Sequence, residues 1–272
     1  IRRSSTIKII TIANSLNHLR GLYSALSTSR MGLDDKVKVY ILNPFVNGEA
    51  RNIKFAKVYP PPIDPIFATS LRPSITRTTS KVTFKFMGRV RFRDEYTPIL
   101  VLQAFKLFVK KLGDPVNVKL IIDTFREDVL EPVVIQGSRT KVVIDNPLIH
   151  VRRSESPLKV VWDTLKKYRE ASYILLPYRV EQFIHPPLTL LEALALGVPV
   201  LASDIVTRWF PYRDLVIGIS SKYSVEDLAK MFRNLYDIYG TSTYCRLSSR
   251  AVERLDAMFR ESVDTVRRVL QE

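Results

Sequence analysis

Two carboxylates, an imidazole and a cluster of guanidiniums are the groups in this chain best suited to chemistry. Glu192 lies inside Leu-Leu-Glu-Ala-Leu-Ala-Leu, residues 190–196, an otherwise apolar stretch of strong helix formers. A carboxylate buried there needs a partner. It either faces a crevice and accepts hydrogen bonds from the hydroxyls of a ligand, or it occupies the one exposed stripe of its helix. Glu181 and His185 stand in the loop ahead of that helix, and Thr189 stands in its first turn. A lone histidine in such a loop is either structural or catalytic. From Arg72 to Arg93 the chain carries seven basic residues and no acidic one, the last three being Arg89, Arg91 and Arg93. Such a run is either a solvated face or a grip for an anion.

The elements that must position these groups follow from the local pattern. Tyr173 to Leu176 is a short apolar run stopped by Pro177, as a buried parallel strand would be. The loop 178–187 follows, and Pro187 suits the first turn of a helix over Leu188 to Leu196. Gly197 is placed to end that helix, and Val198 to Ala202 is the next buried strand. In open parallel sheets ligands bind outside the carboxyl ends of the strands, so the loop and the first helical turn line a crevice. Upstream, Lys81-Val-Thr-Phe-Lys-Phe-Met87 alternates as a strand with Val82, Phe84 and Phe86 on one buried face. Lys81 and Lys85 then fall on a solvated face. Gly88 lets the backbone turn and puts Arg89 at the sheet edge. Further strands are expected at 6–13, 37–42 and 118–123, helices at 15–28, 99–112 and 157–170, and one or two amphipathic helices over 241–271. Ser224 caps a helix with Asp227 at its third position, a variant of the capping box.

The stretch from Leu190 to Ser203 resembles the signature of family-four retaining glycosyltransferases of the GT-B fold, Glu-Gly-Phe-Gly-x-Pro-x-x-Glu-Ala-x-Ala-x-Gly-x-Pro-Val. Glu192 matches the second Glu, which in that family holds the ribose hydroxyls of the donor nucleotide. The first Glu, which touches the donor sugar, aligns in two ways. Glu181-Gln182-Phe183-Ile184-His185-Pro186 matches Glu-Gly-Phe-Gly-x-Pro with residues 187–189 inserted. Alternatively Leu188-Thr189 aligns without a gap and the first Glu has become Ile184. Either way the glycines of the motif are absent. Gly88-Arg89 resembles the family's Gly-Arg, whose Arg faces the donor diphosphate, and Arg91 or Arg93 stands in for the Lys that follows. An Arg grips phosphate with a two-pronged fork where Lys is a point charge. The ending Tyr-Pro-Pro-Pro-Ile-Asp64 resembles the family's interdomain hinge.

The resemblance implies an α/β, GT-B-like protein. A doubly wound parallel sheet forms a Rossmann-like C-terminal domain, beside an incomplete N-terminal α/β portion. The expected division is 1–60 for the tail of an acceptor-side domain and 61–80 for a hinge. Residues 81–240 then form the nucleotide-sugar-binding domain and 241–272 the closing helices. The implied reaction moves a sugar from a nucleotide-diphosphate donor to a hydroxyl of a glycan or lipid acceptor, with retained configuration. Arg89 and Glu181 would be catalytic and bind the donor, with Arg91, Arg93, His185, Thr189 and Glu192 completing the donor site. No metal is expected, since Asp-x-Asp is absent, and no cofactor beyond the nucleotide sugar itself. Two alternatives stand. One is the same fold used as a nucleotide-sugar epimerase or a non-catalytic sugar-nucleotide binder. The other is a basic nucleic-acid-binding module.

Composition bounds these readings. The 272 residues carry 42 Lys+Arg against 27 Asp+Glu, a net charge of +15 that attracts polyanions and allows contact with an anionic membrane surface. Aromatic residues sit mostly in apolar runs and not between the arginines as stacking platforms, which argues against specific nucleic acid. Gly-x-Gly-x-x-Gly and the P-loop pattern are both absent. The single Cys245 excludes a disulfide framework and fits a reducing compartment. No apolar run reaches membrane-spanning length. A cytoplasmic location is therefore expected, open to peripheral attachment at the inner membrane face. The chain opens on Ile1, and it is expected to continue a longer protein.

Overall fold

The computed structural model describes residues 7–12, 37–43, 48–50, 53–57, 65–72, 81–88, 96–113, 117–124, 141–145, 165–180, 187–208 and 210–271. The chain divides into two units, one of residues 1–64 with 256–272 and the other of residues 65–255.

The first unit holds a four-stranded sheet of β1 (Ile7–Ile12), β2 (Val37–Asn43), β3 (Gly48–Ala50) and β4 (Ile53–Lys57), in the order β1-β2-β4-β3. The pairs β1–β2 and β2–β4 are parallel, and β3 runs antiparallel to β4.

The second unit opens with the helix α1 (Pro65–Leu71), which lies inside the stretch 61–80 expected as a hinge. Its proline at the first helical position gives up no hydrogen bond there. Six strands follow: β5 (Val82–Gly88), β6 (Val118–Thr124), β7 (Lys141–Asp145), β8 (Tyr173–Leu176), β9 (Val200–Ser203) and β10 (Val216–Ile219). They form one sheet in the order β10-β9-β8-β5-β6-β7, and every pairing is parallel. Numbered within the sheet, this is the doubly wound order 3-2-1-4-5-6, with its reversal between β5 and β8.

Helices α2 (Tyr96–Leu112), α3 (Leu188–Ala195), α4 (Asp204–Thr207) and α5 (Val225–Ile238) belong to this unit, and α6 runs from Ser242 to Gln271. The boundary between the units falls within α6. Residues 242–271 are thus one helix, with Ser248, Ala251, Leu255, Met258 and Ser262 as a buried stripe at three- and four-residue spacing and Val269 two turns further on.

Phe84 of β5 is the centre of the aromatic core. Phe105 and Phe108 of α2 meet it edge-on at 6.2 and 6.0 Å between centroids, and Phe232 of α5 does so at 4.9 Å. Tyr173 of β8 stacks on it at 5.6 Å. Both faces of β5 are covered, as befits a parallel sheet with helices on each side. Thr83, Lys85 and Met87 are as buried as Val82, Phe84 and Phe86. This corrects one expectation. Lys81 is exposed, but Lys85 is 1% exposed and not solvated. Its Nζ donates to the Lys167 carbonyl at 3.2 Å, at the end of the helical residues 165–168. The strand alternates in sequence, but neither of its faces is wet.

The end of α3 is fixed by backbone and by packing. Gly197 has φ +74°, and the amides of Gly197 and Val198 donate to the carbonyls of Leu194 and Ala193. This is the Schellman pattern, which wants glycine at the left-handed position. A Cβ on Gly197 would meet the Ser248 Oγ at 2.9 Å and the Val252 Cγ2 at 3.1 Å. The carbonyl of Ala195, one of those a helix end leaves over, accepts from the Arg72 Nε at 3.1 Å. The capping box at Ser224 forms as its sequence suggests, with Ser224 and Asp227 bonding reciprocally.

Replacing Phe84 with Ala removes one ring from four aromatic contacts and leaves a cavity at the middle of the sheet. The expected loss is about 3–5 kcal/mol in urea unfolding at constant m-value. A loss below about 1 kcal/mol would mean that the cluster is not the core of the second unit.

Candidate functional site

The reversal of strand order places β5 beside β8, with Phe86 registered opposite Leu175. Both strands end within two residues of that pair, β5 at Gly88 and β8 at Leu176. Adjacent chains that leave the sheet toward opposite faces open a crevice at their carboxyl ends. Arg89 follows Gly88 in the chain, and the loop that follows β8 leads to α3. The candidate site is built at this edge.

Pro177 and Tyr178, both buried, continue from β8, and Arg179 is exposed with its guanidinium over the Tyr223 ring at 5.7 Å. Tyr223 comes from the segment after β10 and donates its hydroxyl to the Pro177 carbonyl at 2.8 Å. The Asp204 carboxylate, just past β9, accepts from the amides of Ile205 and Ser221, each at 2.9 Å. The ends of β8, β9 and β10 are thereby tied together by side chains and not left as independent loops.

Helix α3 begins after Pro187, whose backbone is extended and whose ring offers no side-chain cap. Leu190, Leu191, Ala193, Leu194 and Ala195 are buried. Leu188, Thr189 and Glu192 remain as its outward face, since residues three and four apart lie on one side of a helix. Leu188 is 49% exposed, an unusual position for a large apolar side chain among the described residues. Thr189 and Glu192, both half-buried, are therefore brought together on one face at the amino-terminal end of α3. Arg89, Arg91, Arg93, Glu181 and His185 lie outside the described residues.

Glu192 is neither simply solvated nor simply core. The hydroxyl of Tyr168, itself 1% exposed, donates to its Oε2 at 2.6 Å. Burial pushes the Glu192 carboxyl above its ordinary value, and the Tyr168 hydrogen bond offsets only part of that. A carboxylate held in a partly dehydrated position with one neutral partner is a feature found at functional sites. Tyr168 is not foreseen as a site residue from the sequence. Its signal is weak, a tyrosine in a stretch expected to be helix and buried, whose hydroxyl must find a partner.

The strand order, with its reversal between β5 and β8, defines a doubly wound α/β domain. No family model and no curated protein matches the chain. Solved structures do. The chain resembles a glycosyltransferase from Rickettsia africae ESF-5 with a TM-score of 0.56 at 12% identity, over 97% of this chain and 71% of that one. It resembles WaaG, a glycosyltransferase involved in lipopolysaccharide biosynthesis, with a TM-score of 0.51 at 13% identity, over 96% and 75% of the two chains. For TarM the TM-score is 0.55 at 11% identity, over 99% of this chain and 56% of that one. The fold is that of GT-B glycosyltransferases. Among the described residues no helix is long and apolar enough to cross a membrane.

The raised Glu192 carboxyl gives a pH signature. A group whose folded pKa lies above its ordinary 4.5 contributes stability that is complete below that value. That contribution is lost as pH rises through the folded pKa. Glu192→Gln has no such loss. Measured by urea unfolding, the stability of Glu192→Gln relative to the native chain is expected to be more favourable at pH 7 than at pH 4. An equal difference at both would show that folding leaves the Glu192 carboxyl unperturbed.

Proposed function

We propose that this protein is a retaining glycosyltransferase that moves a sugar from a nucleotide-diphosphate donor to a hydroxyl of a glycan or lipid acceptor. The observation that carries this reading is the half-buried Glu192 carboxylate beside Thr189 on the outward face of α3. That helix follows the strand at the reversal of a doubly wound sheet. The glycosyltransferase fold supports it at the level of fold.

In this reading Glu192 accepts hydrogen bonds from the ribose hydroxyls of the donor, with Thr189 beside it. Arg89 faces the diphosphate, assisted by Arg91 and Arg93. As the bond from the anomeric carbon to the diphosphate breaks, negative charge grows on the departing phosphate. Fixed guanidiniums stabilise that charge without the cost of reorienting water. Such a mechanism needs no metal. Glu181 contacts the donor sugar and His185 lines the same loop. The net charge of +15 supports an acceptor displayed at an anionic membrane surface and does not require nucleic acid.

The first experiment is a thermal-shift panel of UDP, GDP, ADP and dTDP, since a ligand of the folded state raises the melting temperature by mass action. One of them is expected to bind. Glu192→Ala should then weaken its binding by about 1.5–3 kcal/mol, the weight of hydrogen bonds to a charged group, with the fold intact. Arg89→Lys should weaken it more than the same change at Arg91 or Arg93, because the two-pronged contact is lost. Failure of every nucleotide diphosphate to bind would remove this reading. Unchanged affinity in Glu192→Ala would remove Glu192 from the site.

A further inference from the structure

Two residues with polar heads, Lys85 and Tyr168, are almost fully buried in the second unit. Lys85 stands in the middle of β5, and apolar residues of similar volume would fill its place without a desolvated ammonium. Tyr168 is buried to the same degree, and phenylalanine would fill its ring position. One hydrogen bond from each, joined through the chain at 167–168, connects them to Glu192. The Lys85 Nζ donates to the carbonyl of Lys167, fixing the last turn of the helical residues 165–168. The next residue in the chain is Tyr168, whose hydroxyl fixes the Oε2 of Glu192 at 2.6 Å. Among the described residues the Glu192 Oε1 has no hydrogen-bond partner.

We propose that Tyr168 is a positioning residue for Glu192. It pins Oε2 so that Oε1 is held for a ligand hydroxyl, while Lys85 anchors the turn that carries Tyr168. A glutamate free to rotate about its terminal torsion loses that freedom when it takes a ligand, and the loss weakens binding. A carboxylate already held at one oxygen has lost it in the folded state. The hydroxyl of Tyr168 is neutral and donates a single proton, so it leaves the charge of the carboxylate available. Burial of the phenol also keeps water from competing for Oε2. The proposal rests on the reading of Glu192 as a contact to the ribose.

The test separates the two ideas by using probes with and without a ribose. Affinities are measured by calorimetry for inorganic pyrophosphate and for whichever of UDP, GDP, ADP and dTDP binds best. Tyr168→Phe is expected to weaken the nucleotide diphosphate about 3- to 10-fold, the cost of leaving the carboxylate to be ordered on binding, and to leave pyrophosphate unchanged. In a Glu192→Gln background the same change is expected to add little, because the carboxylate it positions is gone. A purely structural tyrosine would instead weaken both probes alike, or weaken the nucleotide equally in both backgrounds; either result overturns the proposal. Retained affinity in Tyr168→Phe, where Glu192→Gln itself weakens binding, overturns it while leaving the role of Glu192 standing. Unchanged affinity in Glu192→Gln removes both. If Tyr168→Phe does not fold, 3-fluorotyrosine at 168 keeps the ring and sharpens the donor. The nucleotide should then bind at least as well as to the native chain, and weaker binding overturns the proposal.

Discussion

A parallel sheet covered on both faces leaves no wet side for its central strands, and the rest of the second unit follows from that constraint. Strand β5 lies between β8 and β6, so its backbone is paired on both edges as well as covered on both faces. Every polar atom it carries must be satisfied from inside. The Thr83 amide donates to the Ser172 Oγ at 3.0 Å, and the Ser172 amide returns to the Thr83 carbonyl at 2.8 Å. Tyr173 of β8, also buried, donates its hydroxyl to the Leu235 carbonyl at 2.7 Å. Buried polar groups placed in this way cost little once paired, but each pairing fixes the position of whatever supplies the partner. The turn 165–168, α5 and the start of β8 are located by such bonds as much as by apolar contact.

The same constraint explains what can be read from the sequence and what cannot. The strand 173–176 is legible because four apolar residues before a proline have few other fates. The helix 188–195 is legible because its end depends on Gly197, where both the positive φ and the approach of Ser248 exclude a side chain. The capping pair Ser224 and Asp227 is legible because it acts within one turn. Lys85 is misleading because alternation is read as one wet face and one dry face, a rule suited to antiparallel sheets. In a covered parallel sheet a lysine that alternates with phenylalanines is buried along with them. Tyr168 is not legible as a partner of Glu192, since their meeting depends on the packing of a helical turn against α3, which no local pattern encodes. The cations and the loop carboxylate of the proposed site are readable as candidates from their place beside strand ends, and their separate roles only through a family resemblance; they fall outside the described residues.

The strand also divides the basic run that marks the sequence. Arg72 satisfies the carbonyl of Ala195 at the end of α3, and Lys85 satisfies that of Lys167 at the end of another helical turn. Helix carboxyl ends carry partial negative charge and leave carbonyls unpaired, so a cation there is an ordinary structural device. In this fold those ends lie where α3 and the turn 165–168 feed into β9 and β8, at the edge where the strands begin. Lys81 stands at that same edge, one residue before β5. Part of the net charge of +15 is therefore spoken for by the architecture and says nothing about a ligand. Arg89, Arg91 and Arg93 are different in one respect that the chain itself fixes. They follow Gly88, at the far end of a seven-residue strand, where the helices that cover the sheet present their amino termini and not their carbonyls.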